Sequence, residues 1–217
     1  YCKTGMLCDT NQRINSKYLI QSKSEKTPKS KLTGKKLPKG YLKNMYIAQK
    51  DDGVSIKGSL AKYYFGNNIE VLTRKDTEMA IEKISDEIKV NIKNGRVYSL
   101  EIGMNIGLIN PYNDYLEYFG DFKNNYLIKS KFANTIYYSN KQKKIRIYNK
   151  LPEIKNSKQA IPEAFKDCNF DIMRIELSLL KRINKEFGMN PYVYRLYDEG
   201  FYMKAIDKLI EYYFKIN

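Results

Sequence analysis

Apolar and polar residues alternate with a period of two in three stretches of the chain, and each predicts a strand with one buried face. In residues 97–106 the set Tyr98, Leu100, Ile102, Met104 and Ile106 is expected to face the core. That leaves Val97, Ser99, Glu101, Gly103 and Asn105 on the other side. In residues 143–150 Ile145 and Ile147 point inward, so Lys144, Arg146 and Tyr148 share the outer face, with Lys150 two residues further on. In residues 171–180 Met173, Ile175, Leu177 and Leu179 point inward, while Arg174, Glu176 and Ser178 point outward. Two further strands are predicted around Leu42, Met45 and Ile47 and around Val54 and Ile56, joined by the hairpin-type turn Asp51-Asp52-Gly53. The first eight residues form another candidate strand. Helical spacing of Ile81, Ile84, Ile88 and Ile92 predicts an amphipathic helix over residues 75–92, ended by Asn94-Gly95. Ala205, Leu209, Tyr212 or Tyr213, and Ile216 predict a closing helix over residues 202–216.

Strands with one-face alternation imply a largely antiparallel sheet with helices covering one side, so the expected class is α+β. The functional face is then the opposite, exposed one. Residues 21–39, rich in Lys, Ser, Thr, Gly and Pro, read as a long basic loop. No linker-like stretch divides the later periodicity, so residues 1–217 are expected to form a single domain.

Composition sharpens this picture. Thirty-nine Lys and Arg against 24 Asp and Glu leave a net charge of +15. That balance suits a polyanion, because each neutralised phosphate releases condensed counterions; a Lys-rich, AT-rich genome would also write such a surface. No apolar run approaches the roughly 20 residues that cross a bilayer, and the N-terminus lacks a signal-peptide pattern. Three cysteines, Cys2, Cys8 and Cys168, are too irregularly spaced for a disulfide framework or a zinc site, so a reducing cytoplasm is the expected compartment. The chain has no histidine. Catalysis must therefore run on carboxylates, Lys, Tyr, Cys or a metal held by oxygen ligands.

Within those limits, three strands each place a reactive group on the outer face: Glu101, Tyr148 and Glu176. If the strands are neighbours, two carboxylates and a phenol converge on a basic surface. Two carboxylates suit Mg²⁺ or Mn²⁺, and such a cation would polarise a phosphodiester. The tyrosine would attack phosphorus, with Lys150 lowering its pKa or stabilising the transition state.

Four short blocks, in order, resemble the replication initiators of filamentous phages, the gene II type, and related rolling-circle plasmid initiators. Residues 56–62, Ile-Lys-Gly-Ser-Leu-Ala-Lys, with Gly66-Asn67-Asn68, resemble a lysine-rich strand followed by the family's Gly-His-Asn turn. Tyr98-Ser99-Leu100-Glu101-Ile102 resembles the apolar strand with an embedded acid, which the family often writes Arg-Ile-Asp. Ile145-Arg146-Ile147-Tyr148-Asn149-Lys150 resembles the strand with the nucleophilic tyrosine and a lysine two positions on. Met173-Arg174-Ile175-Glu176, followed by Phe187-Gly188, resembles the Arg-Phe-Glu block. At Asn67 an amide replaces the family imidazole but still offers an oxygen.

The resemblance covers roughly residues 50–190. It implies an enzyme that nicks one origin strand, stays linked to the 5′ phosphate and leaves a 3′ hydroxyl for the polymerase. It implies Tyr148 as nucleophile and Lys150 beside it, with Glu101, Glu176 and Asn67 as metal ligands. Lys57, Lys62, Lys144, Arg146 and Arg174 would contact DNA. Single-stranded or origin DNA is the implied partner, with a host helicase and polymerase; the type member is longer, so the chain could be a catalytic core.

Two other readings stay open. A binding module without chemistry would use the same basic face, stacking bases on Tyr63, Tyr64, Tyr137 and Tyr138. A structural or partner-binding protein would carry its charge incidentally.

Overall fold

The structure, a computed structural model, describes residues 3–9, 12–21, 29–156, 163–165 and 170–217. In chain order the first elements are β1 (Lys3–Asp9), β2 (Ile20–Gln21), β3 (Lys39–Leu42), β4 (Met45–Gln49), β5 (Gly53–Gly58), α1 (Leu60–Phe65), α2 (Arg74–Ile88) and β6 (Arg96–Gly107). Then come α3 (Tyr112–Tyr115), β7 (Ile128–Phe132), β8 (Thr135–Ser139), β9 (Lys143–Asn149), α4 (Lys150–Asn156), β10 (Ile172–Leu179), α5 (Ile183–Phe187) and α6 (Glu199–Tyr213). The class is α+β, as expected, with every registered strand pair antiparallel. Among the described residues no helix is long and apolar enough to cross a membrane.

The chain divides into two compact units, Tyr1–Leu100 with Ile183–Tyr202, and Glu101–Arg182 with Met203–Asn217. In the first, strands run in the order β2-β3-β4-β5-β1. The expected hairpin is β4–β5, with Ile47 opposite Ile56 and Gly53 at its turn. Met6, Met45, Ile47, Val54 and Ile56 are fully buried. A side chain at Gly53 would run into the Cys8 carbonyl oxygen at 2.1 Å, which explains the glycine there.

Helix α2 buries the predicted stripe of Ile81, Ile84 and Ile88. Thr73 caps it in a capping box with Asp76. It stops at Ile88 rather than running to Ile92, because Lys89 turns left-handed at φ 59° and donates to the Ser85 carbonyl. Ile92 is buried all the same, in the following loop. Strand β6 opens differently from the pattern: Val97 is buried and Tyr98 is 42% exposed. Here the chain pairs with the 191–194 segment: the Val97 N–H donates to the Pro191 carbonyl at 2.8 Å, and Arg96 bridges to Tyr192.

Only part of the expected basic loop is described. Residues 29–36 form a tight turn closed by a bridge between Lys29 and Lys36; residues 22–28 lie outside the described residues. Cys8 is a free, buried thiol, and Cys2 and Cys168 also lie outside the described residues.

In the second unit the order is β10-β9-β8-β7. Ile145, Ile147, Met173, Ile175, Leu177 and Leu179 are all buried, as their alternation requires. On that side Lys143 is buried among tyrosines, its Nζ 5.2 Å and 5.1 Å from the Tyr126 and Tyr212 ring centres. Helix α6 spans Glu199–Tyr213, starting before the predicted span and ending short of it. Of the paired tyrosines, Tyr63 and Tyr138 are buried and Tyr64 and Tyr137 half-buried, so one of each pair serves the core.

Candidate active site

Strands β9 and β10 are neighbours, and their register sets the site. Tyr148 lies opposite Arg174, and Arg146 lies opposite Glu176. Strand β8 continues the same rows, with Tyr137 opposite Arg146. Direct cross-strand pairs share a face, so Tyr137, Arg146, Glu176, Tyr148 and Arg174 gather on one side of the second unit.

That side is covered here. Exposure falls to 1% at Glu176, 3% at Arg174 and 7% at Tyr148, against the open face that alternation suggests. Burial without partners would be prohibitive for such charges, and the partners are present. One Glu176 oxygen accepts from Arg174 Nε at 2.7 Å and lies 3.1 Å from the Tyr148 hydroxyl. The other accepts from Arg146 Nε at 2.8 Å and from its terminal nitrogen. Arg174 also donates to Asn105 Oδ1 at 2.7 Å. Arg146 lies over the Tyr148 ring at 4.5 Å, and its terminal nitrogen is 3.4 Å from the hydroxyl. Burial raises the Glu176 carboxyl, but the charges of Arg174 and Arg146 outweigh it and hold the group below the usual carboxylate range.

Lys150 is not the end of the strand but the first residue of α4. Asn149 turns the chain, its side-chain oxygen accepting from the Leu151 N–H at 3.1 Å, and Pro152 is tolerated in a first helical turn. The lysine is fully buried and ion-paired with Glu153, whose side chain is 38% exposed. Burial lowers its pKa, opposed by the bond to Glu153. The Tyr148 hydroxyl lies 3.3 Å from the same Glu153 oxygen that Lys150 holds.

Lys150 Nζ lies 5.7 Å from the Tyr148 ring centre. Burial, followed by the Glu176 charge, pushes the Tyr148 pKa far up, while Arg174 and Arg146 pull it down. A hydroxyl with one proton thus faces two carboxylates. The oxygens of Glu176 are committed to guanidinium groups; Glu153 shares one oxygen between Lys150 and the phenol, and its side chain reaches solvent.

Tyr148, Arg146, Glu153, Tyr137, Asn113 and Asn134 all line one cleft of about 460 Å³. Sequence reasoning missed Glu153. Its signal was a turn residue, Asn149, followed by an acid at helical spacing from Lys150.

The remaining predicted residues sit as follows. Glu101, half-buried on β6, accepts from Ser178 Oγ at 2.8 Å. Lys144 lies over the Tyr137 ring at 4.3 Å. Lys57, Lys62 and Asn67 belong to the first unit. There Lys57 is exposed on β5 and Lys62 half-buried on α1, which Gly66 ends at φ 81°. The buried Asn67 accepts from the backbone N–H groups of Ile69 and Glu70 at 3.1 and 3.2 Å.

A divalent cation on Glu176 would need lone pairs that already receive two arginines, and would face both guanidinium charges. As arranged, that carboxylate does not fit a Mg²⁺ or Mn²⁺ ligand, and the Asn67 oxygen is engaged on backbone. Among the described residues no three acidic or thiol side chains gather as a cation site.

A family model described as the N-terminal part of a phage replication-associated protein, the gene II protein, matches residues 9–196. No curated protein matches the chain.

Proposed function

Since the chain belongs to the family of the N-terminal part of the phage gene II replication-associated protein, a replication initiator, we propose that it starts rolling-circle replication by nicking one DNA strand with Tyr148. The observation that carries this reading is the Tyr148 hydroxyl, set among Glu176, Glu153 and Arg146 on the wall of a cleft. A buried phenol does not ionise on its own near neutral pH, so a base must take its proton as it attacks.

Glu153 is that base. The Tyr148 oxygen attacks phosphorus as its proton passes to Glu153. The phosphorus–O3′ bond breaks, and the leaving 3′ oxygen becomes a hydroxyl by taking a proton from water. The 5′ phosphate stays on Tyr148 as a phosphotyrosine. Joining reverses these steps: a 3′ hydroxyl attacks the phosphotyrosine and loses its proton to water, the bond from phosphorus to the Tyr148 oxygen breaks, and Glu153 returns its proton to the phenol.

Arg146, one-third exposed toward the cleft, meets the charge that grows on the phosphoryl oxygens. Arg174 and Glu176, both buried, position Arg146 and the phenol. Lys150 orients Glu153 through their ion pair.

The test is incubation with labelled single-stranded origin DNA in buffer containing Mn²⁺, followed by a denaturing gel. Wild type is expected to give a slow-moving covalent band that Tyr148→Phe lacks. A band of equal strength from Tyr148→Phe would remove Tyr148 from the role.

A further inference from the structure

The cleft beside Tyr148 is larger than a phosphate requires, and its lining includes side chains that the nicking steps do not use. Its volume of about 460 Å³ falls in the range of ~300–1,000 Å³ that encloses one small ligand. That volume matches one nucleotide rather than a length of strand.

The half-buried Tyr137 stands directly across from Arg146 in the β8–β9 register. One face of its ring is covered by Lys144 Nζ at 4.3 Å. An aromatic face beside a cation suits a base with its phosphate, because base–aromatic stacking is available to every base. Asn113 on α3 and Asn134 in the β7–β8 turn line the same cleft and are exposed. Neither side chain hydrogen-bonds to any described residue. An amide offers both a donor and an acceptor, the combination that reads a base edge.

We propose that this cleft holds one unpaired nucleotide next to the scissile phosphate, its base stacked on Tyr137 and its edge met by Asn113 and Asn134. This rests on the nicking reading, in which Arg146 holds the phosphate. It adds that the enzyme discriminates among bases at one position beside the nick.

The test uses the full chain in two arms. In the first, Tyr148→Phe protein binds short single strands in which the fluorescent base 2-aminopurine is moved through each position. Fluorescence is expected to be quenched at one position. The quench is lost in the Tyr148→Phe background when Tyr137→Leu is added and kept when Tyr137→Phe is added. In the second, wild type, Asn113→Ala and Asn134→Ala cut origin strands carrying each base around the nick.

Wild type is expected to favour one base at one neighbouring position by at least about fivefold, the lower end of such contacts. The two variants flatten that preference there and nowhere else. Equal quenching at all positions, quenching that survives Tyr137→Leu, or an unchanged base preference in both Asn variants overturns the pocket. If wild type cuts no strand, the nicking reading fails, while the fluorescence arm still decides whether the cleft takes a base.

Discussion

Replacing Glu176 by Gln keeps the shape of the side chain and removes the one charge that two arginines share. Glu176 is 1% exposed and Arg174 3%, so their pair is screened little by water. Arg146 is one-third exposed and recovers hydration when its partner is lost, so its share is discounted. Breaking a buried ion pair from one side costs about 3–5 kcal/mol, and the discount places this change near the lower end. A loss of about 3 kcal/mol lowers the melting temperature of a chain this size by roughly 6–12 °C.

The loss should depend on pH. The folded carboxyl titrates below its unfolded counterpart, so its stabilisation is full above an unfolded pKa of about 4.3. It disappears as pH falls through the folded value. Thermal or denaturant melts of wild type and Glu176→Gln should therefore differ fully at neutral pH and converge in acid. A difference under about 1 kcal/mol at neutral pH, or one that persists unchanged in acid, would refute the argument that Glu176 is the charged centre of a buried cluster.

Two further outcomes are expected. Glu153→Gln should slow formation of the covalent adduct by about 10²–10⁴-fold, with activity rising toward alkaline pH as hydroxide replaces the missing base; single-turnover gels across pH check both. Thr73→Ala removes a capping box from α2 and should cost about 1 kcal/mol, read as a shift in the denaturant midpoint with adduct formation unchanged.

Much of the site could be read from alternation alone. Ile145 and Ile147, with Met173 to Leu179 on the next strand, fix which residues point the other way, and the structure pairs those strands. What alternation could not carry was the cover over the second face, since it depends on contacts distant in sequence. The same limit misplaced the start of β6, where buried Val97 pairs through its backbone with Pro191, far along the chain. The β7–β8 hairpin was missed because all five residues of β7 are exposed, leaving no apolar rhythm to detect. Glu153 was legible in principle: Asn149 and Pro152 mark a helix start, and the acid falls one turn after Lys150. Reading Lys150 as the end of a strand hid it.

Of the 20 tyrosines in the chain, Tyr148 alone should carry the cut strand. Protease digestion of the covalent adduct, followed by mass spectrometry of the nucleotide-bearing peptide, tests it most directly. A nucleotide joined through its 5′ phosphate to Tyr148 is expected, in the peptide that contains Ile147 and Asn149. A nucleotide on any other residue, or an intact chain with no nucleotide on an origin strand that has been cut, would contradict it.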